Sequence, residues 1–402
     1  MAAVHRRGVA VVAFGVLALA IEARAATDLA ARARALVGAG QGVQVETADG
    51  TVLVSQAGAR AVHPASVSKL ATTLALLRAL GPEHRFSTRF AASGPLKKGL
   101  LLGNLVVDGS GDPGFVDENA LRVALALRRL GLRAVAGDLV VRGPFLFDWE
   151  PREAGSRLRR ALEGDVPAAA WRAVREAENP PGPEPPRLVF RREAEGGDGG
   201  EQVLVTHRSE PLVAMLKALN DYSNNVFARF AEAAGGIGAV ESTARASVPA
   251  AFRREIVLGD GAGEDPRNRL SPRAVVALLR ALDAELGRHG LALPDVLPVA
   301  GVDEGTLRHR FDAPGERGLV VGKTGTYGSY GASALAGALR TRDHGVVYFA
   351  ILDHGVPVAT ARRRQDAFVR ALLASLNPVP WPYTPDPAPA FTRAQVDLAG
   401  GD

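Results

Sequence analysis

Residues 42–56, "GVQVETADGTVLVSQ", alternate apolar and polar positions on either side of Asp49-Gly50. A period of two interrupted by Asp-Gly predicts a β-hairpin. Residues 27–37 before it are helical in spacing. After it comes "LATTLALLRAL" at 70–80, a long apolar run that predicts a buried helix. Between about 84 and 145 the texture changes to short strand-like runs, "RFSTRFAAS", "GNLVVDGSG" and "GDLVVRGPF", around one helix near 118–130. Residues 150–178 are charged and helical. Residues 179–200 are rich in Pro and Gly and predict a linker or surface hairpin. Helical spacing resumes from 211 to about 251 and again at 271–287. Three strands follow, in "RGLVVGKTG", "GASALAGALR" and "HGVVYFAILDHG", then a helix at 359–375 and an extended Pro-rich tail from 377.

Strands and helices therefore come in blocks rather than in strict alternation. That order predicts an α+β fold with an antiparallel sheet, not a doubly wound parallel one. The block at 84–204 has the texture of an inserted domain. At 402 residues the chain can bury one large core or two to three smaller ones.

The first 25 residues change the picture. "MAAVHRR" is basic, "GVAVVAFGVLALAI" is a 14-residue apolar run, and "ARA" ends at Ala25. This is the pattern of a cleaved secretory signal, too short for a comfortable membrane span. An uncleaved anchor is the alternative. The chain has no Cys, so it needs no disulfide and cannot use thiol chemistry. An exported, Cys-free chain suits a periplasmic or other extracytoplasmic space. The formal net charge of +5 includes Arg6, Arg7, Arg24 and Glu22 of the signal, and without them it is +3. That is too weak to argue for nucleic acid, and the arginine runs at 157–160 and 362–364 fall in helical stretches as solvated faces. The Pro-rich tail lacks an amphipathic anchor, so at most loose membrane association is expected.

Lysine usage points to the chemistry. Only Lys69, Lys97, Lys98, Lys217 and Lys323 interrupt a chain that otherwise uses Arg for its positive charge. A buried ammonium can lose its proton, whereas a guanidinium does not. Ser66 and Lys69 stand three apart at the head of the apolar run. On a helix start they share a face, so Lys69 can take the proton that makes the Ser66 hydroxyl a nucleophile. Alone, the pair is a weak pattern and reads better as an N-cap and an exposed charge. A second Lys sits in Lys323-Thr324-Gly325, on a predicted strand where Gly325 permits close approach. Lys323 with the hydroxyls of Thr324 and Thr326 would bind an anionic group such as a carboxylate. No Gly-rich loop precedes Lys323, which excludes a P-loop. "DYSNN" at 221–225 puts Ser223 and Asn225 two apart in an interhelical turn, where a hydroxyl and an amide can relay a proton and hold a substrate amide.

SxxK, SxN and KTG in that order are the motifs of the serine penicillin-recognising enzymes. With "HPASVSKLATTLALL", "GNLVVDGSGDPGF", "HRSEPL", "SNNVFA", "LGDGAGEDPRNRLSP" and "GKTGTYGSYGASALAGAL", the chain from about 40 to 375 resembles the class C low-molecular-mass penicillin-binding proteins. These are the D-alanyl-D-alanine carboxypeptidase/endopeptidases of the penicillin-binding protein 4 type. The resemblance implies a β-lactamase/DD-transpeptidase-like catalytic domain split by an insertion. The expected layout is a signal at 1–25, a catalytic domain of 26–83 and 205–376, an inserted domain at 84–204 and a tail at 377–402. It implies that Ser66 is acylated by a peptidoglycan stem peptide or by a β-lactam, with Lys69 as base and Ser223 as a catalytic hydroxyl. Asn225, Lys323, Thr324, Gly325 and Thr326 would bind substrate, with no cofactor. The chain departs from the family at Asn224, where Asp is usual, at Arg229, where an acid is usual, and in an insertion shorter than that of the largest members.

Rival readings remain open at this level. Tyr222-Ser223-Asn224 overlaps a YxN motif, which would make Tyr222 the base of an esterase or β-lactamase-like serine hydrolase. Glu264 lies between the second and third motifs, where a class A β-lactamase carries its deacylating Glu, although its surroundings fit the carboxypeptidase pattern better. A non-catalytic penicillin-binding sensor would keep the same residues. The eight His residues show no metal-ligand spacing, and "DGSGDPG" at 108–114 lacks the Gly and Glu of a calcium loop.

Overall fold

The computed structural model describes residues 28–191 and 201–399. The signal expected at 1–25 lies outside the described residues. The chain divides into two compact units, Met1–Leu80 with Leu216–Pro385, and Gly81–Met215 with Asp386–Asp402.

The first unit opens with helix α1 at 28–36. The hairpin β1 (Gly42–Thr47) and β2 (Val52–Gln56) follows. Its turn uses Gly50 at φ +93, a left-handed conformation that Gly adopts at no steric cost. A 3₁₀ turn, Ala65–Ser68, leads into α2 (Lys69–Leu80). Helix α2 is buried from Lys69 through Leu77, as an all-round apolar run requires.

The chain then builds the second unit. In order come β3 (Ser87–Ala92), β4 (Leu96–Lys97), β5 (Leu100–Leu101), β6 (Leu105–Asp108), α3 (Asp117–Arg129), β7 (Ala134–Val135) and β8 (Leu139–Arg142). After these come α4 (Ala154–Leu162), α5 (Ala168–Glu178), β9 (Val189–Phe190) and β10 (Gln202–Arg208). The helical stretch expected at 150–178 is two helices, because Gly164 at φ +86 and Pro167 break it. Strand β10 crosses the boundary expected at 204, and the unit closes only at Met215.

Helix α6 (Leu212–Asp221) carries the chain back, followed by α7 (Phe227–Phe230), α8 (Ile237–Ala246) and α9 (Pro272–Gly287). The stretch expected to be helical to 251 is interrupted at Ser223 and at Gly235-Gly236, all three with positive φ. Helix α9 starts where capping chemistry places it: Ser271 Oγ accepts from Ala274 N at 3.1 Å and Pro272 follows. Strands β11 (Val320–Tyr327), β12 (Ala332–Thr341) and β13 (Gly345–His354), helix α10 (Val358–Ser375) and β14 (Pro378–Val379) complete the first unit. The segment expected as an extended tail is structured: β14 pairs with β12, and β15 (Gln395–Leu398) pairs with β10 in the second unit.

The sheet of the first unit runs β11-β12-β13-β1-β2, with every pair antiparallel. Side chains of α1 and α10, among them Leu29, Ala33, Phe368 and Leu372, share a core with Val43, Val45, Leu335 and Phe349 of the sheet. Helix α9 packs on β1 and β13 and also against α2. With helices on both faces, β12 is buried at nearly every position, which is why its sequence is small and apolar instead of alternating. The second unit has a sheet ordered β15-β10-β3-β6-β8, with β6 and β8 parallel, and a smaller one ordered β4-β5-β7-β9. Its core gathers Phe90, Leu105, Phe115, Leu127 and Leu158.

Candidate active site

Between His63 and Leu77, Ser66 is the one residue that is not buried. It sits on the 3₁₀ turn at the head of α2, after Ala65 at φ +47. A left-handed Ala costs on the order of 1 kcal/mol, and such strain collects at functional sites. The turn is pinned from three sides. His63 Nδ1 accepts from Ala65 N at 3.2 Å. Gly325 of β11 lies over it so closely that an added Cβ would stand 2.7 Å from Pro64 O and 3.1 Å from Ser66 N. Gly263 presses from the far side, where a Cβ would stand 2.1 Å from Ala65 O.

Lys69 is fully buried one turn along. Its Nζ donates to Ser66 Oγ at 2.7 Å, to Ala262 O at 2.6 Å and to Asn225 Oδ1 at 3.1 Å. Burial pulls its pKa from 10.5 down to about 8, against the opposing pull of the Glu264 and Asp260 carboxylates. A lysine with this proton affinity is present in part as the free amine at neutral pH, directly on a serine hydroxyl.

The second motif lies in the turn after α6. Asn225 joins Lys69 on one side and, through Nδ2, Glu264 Oε1 at 2.8 Å on the other. Ser223 occupies a left-handed conformation at φ +56 and is half-buried. Among the described residues its hydroxyl makes no hydrogen bond, so its approach to Ser66 is not part of the resting network. Asn224 Oδ1 accepts from Val226 N at 2.8 Å. An Asp carboxylate would fill the same turn bond, which accounts for Asn at this position. Tyr222 is 63% exposed. The out-of-phase motif thus has its phenol turned to solvent while Lys69 occupies the Ser66 hydroxyl.

The third motif departs from expectation in one respect. Lys323 is enclosed completely and donates to Thr324 O at 2.9 Å. Its pKa lies well below the ordinary value, first from burial and then from the Lys69 charge, with Asp221 opposing. Thr326, by contrast, is exposed, and Arg362 of α10 donates to its Oγ1 at 2.9 Å. Arg362 is thus an exposed cation at this end of β11, whereas Lys323 is enclosed. Sequence reasoning treats Arg362 as part of a solvated helical face, and only the fold shows that it reaches Thr326. His63, stacked on Tyr327 with ring centroids 4.8 Å apart, and the Ala262 carbonyl were missed in the same way. "HPAS" and "TYGSY" hold the rings, but neither spacing reveals the stack.

Comparison with known proteins bears on the family and the fold. The D-Ala-D-Ala carboxypeptidase 3 (S13) family matches residues 23–148 and 189–375. The D-alanyl-D-alanine carboxypeptidase of Actinomadura sp. (strain R39) is 41% identical over 107 residues, which is 26% of this chain and 20% of the relative. The chain's alignment thus spans about a fifth of that curated relative. Among solved structures, a penicillin G-acylated predatory endopeptidase of Bdellovibrio bacteriovorus, in complex with an immunity protein, superposes with a TM-score of 0.74 at 21% identity, covering 89% of this chain and 99% of that one. Penicillin-binding protein 4 of Haemophilus influenzae superposes with a TM-score of 0.61 at 20% identity, covering 87% and 98%. At these identities the superpositions establish the fold.

Proposed function

This chain belongs to the D-Ala-D-Ala carboxypeptidase 3 (S13) family, and from that premise we propose that it is an exported serine DD-peptidase acting on the D-Ala-D-Ala end, and on cross-links, of peptidoglycan stem peptides. The observation that carries the reading is Lys69 Nζ, buried and deprotonatable, 2.7 Å from Ser66 Oγ. Lys69 takes the Ser66 proton as Oγ attacks the penultimate D-Ala carbonyl carbon. The C–N bond breaks, and the leaving amine receives a proton from the Lys69 ammonium with the Ser223 hydroxyl as relay. Water then hydrolyses the Ser66 ester and restores the free serine. Asn225 holds the substrate amide. Thr324, Thr326 and Arg362 receive the free carboxylate of the leaving residue, and Gly325 lets the substrate backbone lie beside β11. Lys323 sets the field beneath Lys69 from its enclosed position. β-Lactams, which carry an acyl carbonyl and a carboxylate, acylate the same serine.

The site of action follows from the substrate and lies outside the cytoplasm. No described helix is long and apolar enough to cross a membrane. The deciding experiment labels the protein with a fluorescent penicillin and then measures D-Ala release from a stem pentapeptide. Labelling abolished by Ser66→Ala, together with D-Ala release, supports the reading. Rapid turnover of penicillin without D-Ala release would favour a β-lactamase, and stable labelling with neither activity a sensor.

A further inference from the structure

The loop that supplies the Ala262 carbonyl also carries a carboxylate to the edge of the same site. The Asp260 carboxylate gathers the backbone N–H groups of Gly263 at 2.7 Å, Glu264 at 3.0 Å and Asp265 at 3.2 Å, with Asn268 Nδ2 at 2.9 Å. Gly263, at φ +90, is pressed against the nucleophile turn, where an added Cβ would meet Ala65 O and Ser68 Oγ. The Glu264 backbone is therefore fixed relative to Ser66. From that point Glu264 Oε1 accepts from Asn225 Nδ2, while Asn225 Oδ1 accepts from Lys69 Nζ. Each end of the amide has a partner of the opposite kind.

The arrangement matters most when Lys69 is neutral. An ammonium only donates, so by itself it selects the amide oxygen. A free amine has a lone pair and can also accept. An Asn225 amide turned end for end would donate into that lone pair and tie up the electrons that must take the Ser66 proton. Building on the DD-peptidase reading above, we propose that Glu264 is a positioning residue: by holding Asn225 Nδ2 it keeps the amide oxygen toward Lys69 and leaves the amine lone pair free for Ser66. Glu264 also faces Lys69 as a charge. The other charges facing Lys69 are Asp260, from the same loop, and Lys323, from β11.

The test measures the second-order rate of Ser66 acylation by labelled penicillin between pH 6 and 9, using the full chain and the variants Glu264→Ala and Glu264→Gln. Glu264→Ala frees the amide and slows acylation about 10- to 100-fold near pH 7, the range expected for a small misplacement at a reacting centre. Glu264→Gln keeps an acceptor oxygen and stays within about fivefold at its optimum. Having lost one negative charge facing Lys69, it shifts the midpoint of its acid limb down by roughly half a pH unit to one unit. A role confined to loop stability would lower the yield of folded protein without moving that midpoint. Wild-type rates in Glu264→Ala at every pH, or an unmoved midpoint in Glu264→Gln, overturn the proposal. If Glu264→Ala does not fold, the Gln arm decides. Labelling that survives Ser66→Ala would overturn the reading beneath it, and this proposal with it.

Discussion

The pH dependence of acylation is the sharpest consequence of the site. Burial lowers the Lys69 pKa from 10.5 to about 8. At pH 7 about one molecule in eleven then holds Lys69 as the free amine, against about one in three thousand for an ordinary lysine. Desolvation thus enlarges the reactive fraction about 300-fold. For free enzyme and a penicillin whose carboxylate stays ionised throughout, the second-order acylation rate should climb about tenfold per pH unit from 6 and level off above about 8, a gain of roughly fifty-fold between pH 6 and 8. The assay is gel-resolved labelling at several penicillin concentrations in buffers from pH 6 to 9, below the range in which the β-lactam hydrolyses unaided. Lys69→Arg keeps the positive charge but cannot release a proton. Its rate should fall by about 10² to 10⁴ and lose the climb. A wild-type profile that is flat from pH 6 to 9, or a folded Lys69→Arg variant within threefold of wild type, would remove Lys69 from the base role. The exposed Tyr222 would then be the next residue to test.

Three further outcomes follow from separate parts of the structure. Gly325→Ala places a methyl group against Pro64 O and Ser66 N, both backbone atoms that cannot step aside, and should cut acylation by about 10² or more while circular dichroism stays unchanged. Arg362→Ala removes the open cation beside Thr326 and should raise KM about tenfold for peptides with a free C-terminal carboxylate; peptides ending in a carboxamide should respond less than twofold, and equal losses for both would show that Arg362 does not read the carboxylate. In the second unit, burial raises the Asp112 pKa to about 7, so the folded state keeps a proton that the unfolded chain releases near 3.8. Asp112 therefore costs stability progressively as pH rises through that window, by up to roughly 4 kcal/mol. His207, 3.7 Å away and held neutral down to about pH 3 by burial, acts in the opposite sense, so wild type alone shows only the difference. Asp112→Asn should gain thermal stability over wild type as pH rises from 4 to 7.5, by about 5 °C or more at the upper end, and a constant or shrinking gap would contradict the assignment.

Local signals carried much of this protein. The hairpin around Asp49-Gly50, the buried helix behind Lys69 and the capped helix at Ser271-Pro272 each depend on residues a few positions apart, so pattern alone locates them. The scarcity of lysine singled out Lys69 and Lys323, the order of three short motifs pointed to the serine penicillin-recognising enzymes, and the longer stretches around them to the family. Where the readings parted from the structure, the cause was long-range. Positive φ at Ser223, Gly235 and Gly236 divides a stretch whose spacing looks continuous. Residues 395–398 become a strand only because β10, nearly 190 positions earlier, offers an open edge. Lys323 lies enclosed while Arg362 reaches Thr326 from the surface, because burial is a property of packing and not of a motif. The Ala262 carbonyl and the Glu264 carboxylate reach Lys69 and Asn225 through a loop almost 200 residues from Ser66. A one-dimensional pattern can nominate the residues able to do the chemistry, but their proton affinities and partners are set by which side chains the fold removes from water and places within 3 Å of one another.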